Sequence, residues 1–195
     1  MISVVIPLLN ESTLVTRLIN EVAKNLQGIG EAFEIVCIDD GSTDDSIKKL
    51  LQLKKENTEL KIVSLSRNFG LQSALTAGLE YSNGDNVVIM DGDFQDPPEL
   101  IPQLYSKIQE TKGDVVSAVR KRRKEKISKR FYIGVFHKIF KNITEGSQVE
   151  QTGNFCILSR KAVGAILQFS EHNRYFPGIR NFIGFQHDFV VYNRP

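Results

Sequence analysis

The chain has 195 residues but only two cysteines, Cys37 and Cys156. Two are too few for a disulfide framework. Each lies in an apolar run, so both are expected as reduced core side chains. No group of Cys and His has the spacing of a zinc site. The three histidines, His137, His172 and His187, are isolated and receive no role. No apolar run approaches the roughly 20 residues needed to cross a bilayer. The opening Met1-Ile2-Ser3-Val4-Val5-Ile6-Pro7 lacks the basic start and long apolar core of a signal peptide. A cytosolic chain is expected, or one peripheral on the cytosolic face of a membrane. Internal repeats and low-complexity tracts are missing. So are a P-loop and a full Gly-x-Gly-x-x-Gly; Gly28-Ile29-Gly30 follows a helix, the wrong place for a dinucleotide. ATPase and NAD-dependent readings therefore fall.

What is present is ordinary for a globular domain: 41% hydrophobic and 25% charged residues. A chain of this length can bury a sizeable core without staples. The formal charge of +2 hides an asymmetry. Residues 118–131 hold eight Lys or Arg against one Glu, a local +7, which leaves −5 for the rest. An acidic domain thus carries one basic segment, which needs an anionic partner or is a solvated loop. Nucleic acid is not expected as that partner, because the remaining charge is negative and no aromatics interleave with base-reading residues.

Hydrophobic patterning predicts alternating elements. Residues 2–6 read as a strand. Ser12 can cap a helix over about 13–27, with Leu14, Leu18, Val22 and Leu26 on one face. Strand 33–38 follows, apolar except for Glu34. Then come helix 43–57, strand 61–65, helix 70–82 and strand 86–90. Asp96-Pro97-Pro98-Glu99 has the form of a helix start: an Asp cap, Pro at the first position and Glu at the third. Strand 114–119 closes the alternation. Short strands with almost no polar alternation suit a sheet covered on both faces. The fold class is α/β, a doubly wound, mostly parallel sheet flanked by helices. A C-terminal extension should hold an amphipathic helix over 127–143, a strand near 153–158, a helix near 160–169 and a strand near 187–192. The 127–143 helix sets Phe131, Tyr132, Val135, Phe136, Ile139, Phe140 and Ile143 beside Lys126, Lys129, Arg130, Lys138 and Lys141. Such a face suits an anionic membrane surface, or core packing. The sequence stops at Asn193-Arg194-Pro195 without cap or tail, and the expectation is of a piece cut from a longer chain.

In doubly wound sheets, ligands bind beyond the carboxyl ends of the strands. Three acidic groups fall there. Pro7, Asn10 and Glu11 follow the first strand; Asp39-Asp40-Gly41-Ser42-Thr43-Asp44-Asp45 follows the second; Asp91, Gly92, Asp93, Gln95 and Asp96 follow the fourth. Packed carboxylates repel and raise one another's pKa, unless a cation or a donor-rich ligand sits among them. Asp91 and Asp93, two residues apart across a glycine, can share Mg²⁺ or Mn²⁺ with a substrate phosphate. The plainer alternatives are solvated turns and helix caps, with Asp96 a cap before Pro97.

Together these residues resemble glycosyltransferase family 2. Ile2-Ser3-Val4-Val5-Ile6-Pro7-Leu8-Leu9-Asn10-Glu11 is similar to the family's opening, and Ile38-Asp39-Asp40-Gly41-Ser42-Thr43-Asp44 to its nucleotide motif. Ser66-Arg67-Asn68-Phe69-Gly70 and Met90-Asp91-Gly92-Asp93-Phe94-Gln95-Asp96-Pro97-Pro98-Glu99 resemble the polyprenyl-phosphate branch, that of bactoprenol glucosyltransferases and dolichol-phosphate mannose synthases. The resemblance covers nearly the whole chain and is strongest over 1–100. It implies a GT-A fold and inverting transfer from a nucleoside-diphosphate sugar, UDP-linked by preference, to a polyprenyl phosphate at the cytoplasmic face of the cell membrane. It further implies that Pro7, Asn10, Glu11, Asp39, Asp40 and Ser42 hold the nucleoside. Arg67, Asn68 and Gln72 would lie near the donor. Asp91, Asp93 and Gln95 would surround Mg²⁺ or Mn²⁺. Arg120, Arg122, Arg130 and Arg194 would face the acceptor phosphate, with Asp93, Arg120 and Arg130 closest to the chemistry. Residues 1–119 would then be the donor core and 120–195 the acceptor- and membrane-facing part of one catalytic domain. The two membrane helices that such relatives often carry would follow Pro195.

One departure bears on mechanism. Relatives often read Asp-x-Gly-Asp-Phe where this chain has Gln151-Thr152-Gly153-Asn154-Phe155. A sugar hydroxyl acceptor needs a general base, and the nearest candidates are Glu171 and His172. A phosphate acceptor is already ionised at neutral pH and needs cations instead, which the basic segment supplies. Two alternatives stay open: a transferase acting on a saccharide hydroxyl, and a nucleotide-sugar-binding module without turnover. A phosphorylation receiver fits less well, because its paired aspartates follow the first strand. The 127–143 face leaves homo-oligomerisation open as well.

Overall fold

The computed structural model describes residues 1–120, 152–169 and 175–192. The helix expected over 127–143 lies outside the described residues. So do Arg122, Arg130, His137, Gln151, Glu171, His172 and Arg194.

Seven strands form one sheet: β1 (Ile2–Leu8), β2 (Phe33–Asp39), β3 (Leu60–Ser64), β4 (Asn86–Ile89), β5 (Val115–Arg120), β6 (Thr152–Ser159) and β7 (His187–Tyr192). Their order is β3-β2-β1-β4-β6-β5-β7. β1 pairs in parallel with β2 and β4, β2 with β3, and β5 with β7. Only β6 runs against its neighbours, wedged antiparallel between β4 and β5. The two late strands are therefore part of the main sheet. The helices are α1 (Val15–Gln27), α2 (Ser46–Glu56), α3 (Leu71–Tyr81), α4 (Ile101–Thr111), α5 (Arg160–Leu167) and α6 (Phe176–Phe182).

Side chains that alternate along a strand feed opposite faces. Val4, Ile6 and Leu8 of β1 join a core with Leu18, Val22 and Leu26 of α1, Leu50 of α2 and Leu104 of α4. Val5 joins the other core with Leu75 and Leu79 of α3, Val163 of α5 and Ile179 of α6. Cys37 belongs to the first core and Cys156 to the second; both are buried and free. The sheet separates them, which explains why they stay unpaired. No helix among the described residues is long and apolar enough to cross a membrane.

Three helix starts differ from the sequence reading. α1 begins after Leu14 without a side-chain cap, and the backbone N–H of Ser12 donates to Asp44 Oδ2 at 3.0 Å. Ser12 is thus held by the next acidic loop and does not cap its own helix. Asp96 does not cap either: a 3₁₀ turn, Pro98–Leu100, leads into α4, and the Asp96 carboxylate points elsewhere. The short α6, over Phe176–Phe182, had no pattern long enough to announce it. α5 does carry a side-chain cap, with Ser159 Oγ accepting from the Ala162 N–H at 3.1 Å.

At the β5/β7 edge His187 is enclosed. Its Nε2 lies 2.8 Å from Ser117 Oγ and its Nδ1 lies 3.1 Å from Asn181 Oδ1. Burial, then the nearby Arg180 charge, lowers its pKa from 6.5 to about 4. The unfolded chain therefore takes up this proton first. The stabilisation is complete above the unfolded value and drains away as pH falls from about 6.5 toward 4. Replacing His187 by Gln is expected to flatten this acid limb by roughly 1 kcal/mol, after allowance for screening. Urea melts from pH 7 to pH 4 measure it.

Candidate active site

The carboxyl ends of β1, β2 and β4 lie at one edge of the sheet. The Asp40 N–H donates to the Leu8 carbonyl at 2.9 Å, and the Met90 N–H to Val5 at 3.2 Å. The loops that leave these strands therefore meet. The backbone N–H of Asn10 donates to Ser42 Oγ at 2.9 Å, and Asn10 Oδ1 accepts from the Thr43 N–H at 2.8 Å. Asn10 sits at φ 57°, a left-handed conformation that Asn tolerates better than most residues. Pro7 is buried in β1 beneath this junction.

Asp39 and Asp40 are 3% and 4% exposed, so their charges need donors. Asp39 accepts from the Ser42 N–H at 3.3 Å and from Ser64 Oγ at 3.4 Å. Asp40 accepts from the Phe69 and Gly70 N–H groups at 2.8 and 2.9 Å. Asp40 thus ties the 67–70 loop to the end of β2. Gly41 makes the approach feasible: at φ +72° it lies where a Cβ would overlap the backbone of Arg67 and Asn68. In that loop, Asn68 Oδ1 accepts from the Gly70 N–H at 2.9 Å, and the exposed Arg67 guanidinium stacks 4.3 Å from the Phe69 ring. Gln72 Oε1 accepts from the Phe176 N–H at 3.3 Å, which joins α3 to α6.

The third loop holds the densest charge. Gly92 turns tightly under β1, where a Cβ would sit 2.9 Å from the Pro7 carbonyl oxygen. Asp93 Oδ1 accepts from the Gln95 N–H at 2.9 Å, and the Gln95 side chain is exposed. Phe94 takes φ 60°, with the Arg17 guanidinium 5.0 Å from its ring. Asp96, 2% exposed, accepts from the Asp91 N–H at 3.0 Å and from Arg120 Nη2 at 3.3 Å. Arg120 Nε in turn donates to the Tyr192 hydroxyl at 2.9 Å. Asn154 Nδ2, at the start of β6, lies 3.4 Å from Asp91 Oδ1.

Three carboxyl groups here, Asp91, Asp96 and Glu11, hold their protons more tightly than a free acid does. Burial and then repulsion from Asp96 raise the pKa of Asp91, against the Asn154 hydrogen bond. Burial also raises Asp96, although the Asp91 N–H and Arg120 oppose it. Glu11 is raised by burial and by repulsion from Asp93 and Asp44, which places all three acids in one field. Among the described residues no three of His, Cys, Asp and Glu converge into a preformed metal cage. Two carboxylates on a tight turn still match a hard divalent cation that keeps waters and takes substrate phosphates as its other ligands.

The structure therefore brings Asn10, Glu11, Asp39, Asp40, Ser42, Asp91 and Asp93 to one edge. Arg120 faces Asp96 and Tyr192. Sequence reasoning counted Asp96 in the acidic group after the fourth strand, with a helix cap as its plainer alternative, and missed Tyr192.

Residues 3–167 match the family model described as glycosyl transferase family 2. The chain belongs to glycosyl transferase family 2. This family 2 chain is 37% identical over 193 residues to an uncharacterized glycosyltransferase of Synechocystis sp., across 99% of the chain and 61% of the relative. It spans about three-fifths of the length of the curated relatives it matches. Among solved structures it resembles a mannosyltransferase of Pyrobaculum calidifontis in complex with GDP-Man and Mn²⁺, with TM-score 0.71 and 16% identity, across 100% of this chain and 57% of that one. It also resembles S. aureus TarS 1-349 in complex with UDP, with TM-score 0.68 and 19% identity, across 98% of this chain and 57% of that one. These neighbours establish the GT-A fold of the family 2 chain.

Proposed function

We propose that this domain transfers a sugar, with inversion, from a nucleoside-diphosphate sugar to a polyprenyl phosphate at the cytoplasmic membrane face. The observation that carries the donor half is the meeting of three acidic loops at one sheet edge, with Asp91 raised by burial and by repulsion from Asp96, and Asp96 raised chiefly by burial. Such a cluster suits a diphosphate that brings a divalent cation, which would relieve the repulsion. Fold neighbours hold GDP-Man with Mn²⁺ or UDP; for this chain the nucleotide proposed is UDP.

Each residue then has a task. Asp39, with Ser42, Asn10 and Pro7, bounds the nucleoside, and Asp40 fixes the loop whose Arg67 and Asn68 lie toward the donor. Gln72 anchors α6 behind them. Asp91 and Asp93, with Gln95, would hold Mg²⁺ or Mn²⁺, which when bound neutralises the diphosphate and the charge left on it. Glu11 lies within the field of Asp93. The acceptor phosphate oxygen attacks the anomeric carbon opposite the diphosphate. The new O–C bond forms as the old one breaks, and its electron pair leaves on the nucleoside diphosphate. No proton need be removed from the acceptor, so amides at 151 and 154 are compatible with turnover. Arg120, Arg122, Arg130 and Arg194 would offset the repulsion between the two anions. In this division residues 1–119 hold the donor and residues 120–195 face acceptor and membrane.

Calorimetric titration with UDP and GDP, each with Mn²⁺, Mg²⁺ or EDTA, tests the donor half. One nucleotide should bind in a metal-dependent manner, and Asp93→Asn should remove that dependence. Absence of binding under every condition would defeat the reading. Transfer to polyprenyl phosphate in vesicles, compared with a free saccharide, tests the acceptor; turnover on the saccharide alone would defeat the lipid assignment.

A further inference from the structure

Arg180 of α6 is 3% exposed, yet it has no carboxylate partner among the described residues. Its Nη2 donates to the Gly153 carbonyl at 3.1 Å, and its Nε has no hydrogen-bond partner among the described residues. Its charge reaches Cys156, where it opposes the effect of burial on the thiol, and His187, where it disfavours the imidazolium. A buried guanidinium without a counter-ion stabilises a fold less than an apolar side chain of the same volume. What it does contribute is directed donors, one at the Gly153 carbonyl and one toward the Cys156 thiol.

That carbonyl sits where the sheet ladder fails. β6 pairs with β4 only from Cys156 to Ser159. Its pairing with β5 is irregular between Ser117 and Val119, so Cys156 and Thr152 have partners and Gly153 to Phe155 do not. Such irregularities re-aim side chains beside functional sites. The side chain re-aimed here is Asn154, whose amide lies 3.4 Å from Asp91 Oδ1.

We infer that Arg180 is a positioning residue, which holds Gly153 in the unpaired stretch of β6 so that the Asn154 amide bears on Asp91. The inference rests on the reading of Asp91 as a metal ligand. Arg180 touches neither metal nor substrate; it acts through Gly153 and Asn154, as outer partners of a metal site do.

The test uses the whole chain with UDP and follows free Mn²⁺ by electron paramagnetic resonance. Arg180→Met should weaken Mn²⁺ binding about tenfold, as loss of an outer partner does. Arg180→Lys keeps a donor and should bind like wild type. Asn154→Ala should weaken binding to a similar degree, and adding Arg180→Met to it should cost nothing more. Multiplying effects in the double variant would overturn the inference, because a general loss of structure is indifferent to Asn154. So would wild-type affinity in Arg180→Met. If Arg180→Met fails to fold in a parallel thermal melt, Arg180→Lys decides: a folded lysine variant with about tenfold weaker Mn²⁺ binding overturns the inference. Absence of Mn²⁺ binding in the wild type, by contrast, defeats the metal reading itself.

Discussion

Asp91→Asn is expected to abolish sugar transfer and, in metal-free buffer, to raise the melting temperature. The two effects share one cause. Asp91 is half-buried beside Asp96 and Asp93, and its pKa is raised by burial first and by Asp96 next. A raised carboxyl pKa means that the folded chain holds this proton more tightly than the unfolded one. Stability therefore falls as pH rises through the window above the ordinary aspartate value, and the whole penalty stands at neutral pH. Asparagine has nearly the same shape, can still accept from the Asn154 amide, and carries no charge. The gain should be a few degrees at pH 7 and should shrink as pH falls toward the ordinary aspartate range, because the raised pKa lets the wild-type carboxyl take up its proton earlier than in the unfolded chain. Thermal melts across that range in EDTA measure it. Transfer, measured as release of nucleoside diphosphate with Mn²⁺ present, should fall by about a hundredfold or more, the scale of losing one preorganised electrostatic group. A neutral effect on both readouts would remove Asp91 from the site.

Glu34→Ala should give the opposite pattern, a large loss of stability with nucleotide affinity intact. Glu34 is 5% exposed, at the end of the sheet away from the acidic loops. Its Oε1 accepts from Ser3 Oγ and from the Asn83 N–H, both at 2.6 Å, and its Oε2 pairs with Lys61 Nζ at 2.6 Å. Ser3 Oγ accepts in turn from the Gly84 N–H at 2.7 Å. Burial alone would raise the pKa of Glu34; the bonds from Lys61, Ser3 and Asn83 outweigh it, and the pKa is lowered. The carboxylate links β1, β2 and β3 to the turn before β4. Alanine leaves buried donors without an acceptor and a cavity besides, a loss of about 3 kcal/mol. For a chain of this size that corresponds to a fall of roughly 10 °C in melting temperature. Calorimetry of the folded variant should return the wild-type nucleotide affinity. An unchanged melting temperature would show that the network is not holding the strands.

Much of this was legible from patterning. Apolar runs at 2–6, 33–38 and 86–90 had to become covered strands, and each left its polar residues at the same edge. Parallel strands put all their carboxyl ends together, so the approximate position of the acidic loops followed from element order. Local rules failed where a side chain had a better distant partner. Asp96 has every local mark of a helix cap, yet its carboxylate serves the Asp91 N–H and Arg120, because a buried acid gains more from a charged donor than from a helix end. Ser12 is no cap for a different reason: its backbone N–H is tied to Asp44, and the helix starts beyond it, after Leu14.

The alternation of elements, the two-sided core, the acidic edge and the place of Asp39, Asp91 and Asp93 in it all followed from residue pattern. Hydrophobic period and strand direction are local properties, and they suffice for that. Tertiary structure alone decided that β6 would enter antiparallel between β4 and β5, and so bring Asn154 to Asp91 and Gly153 to Arg180. It also decided that Arg120 would bridge Asp96 and Tyr192. Those pairs are separated by 24 to 72 residues. Contacts at that range depend on which strands become neighbours, and no local period encodes strand order.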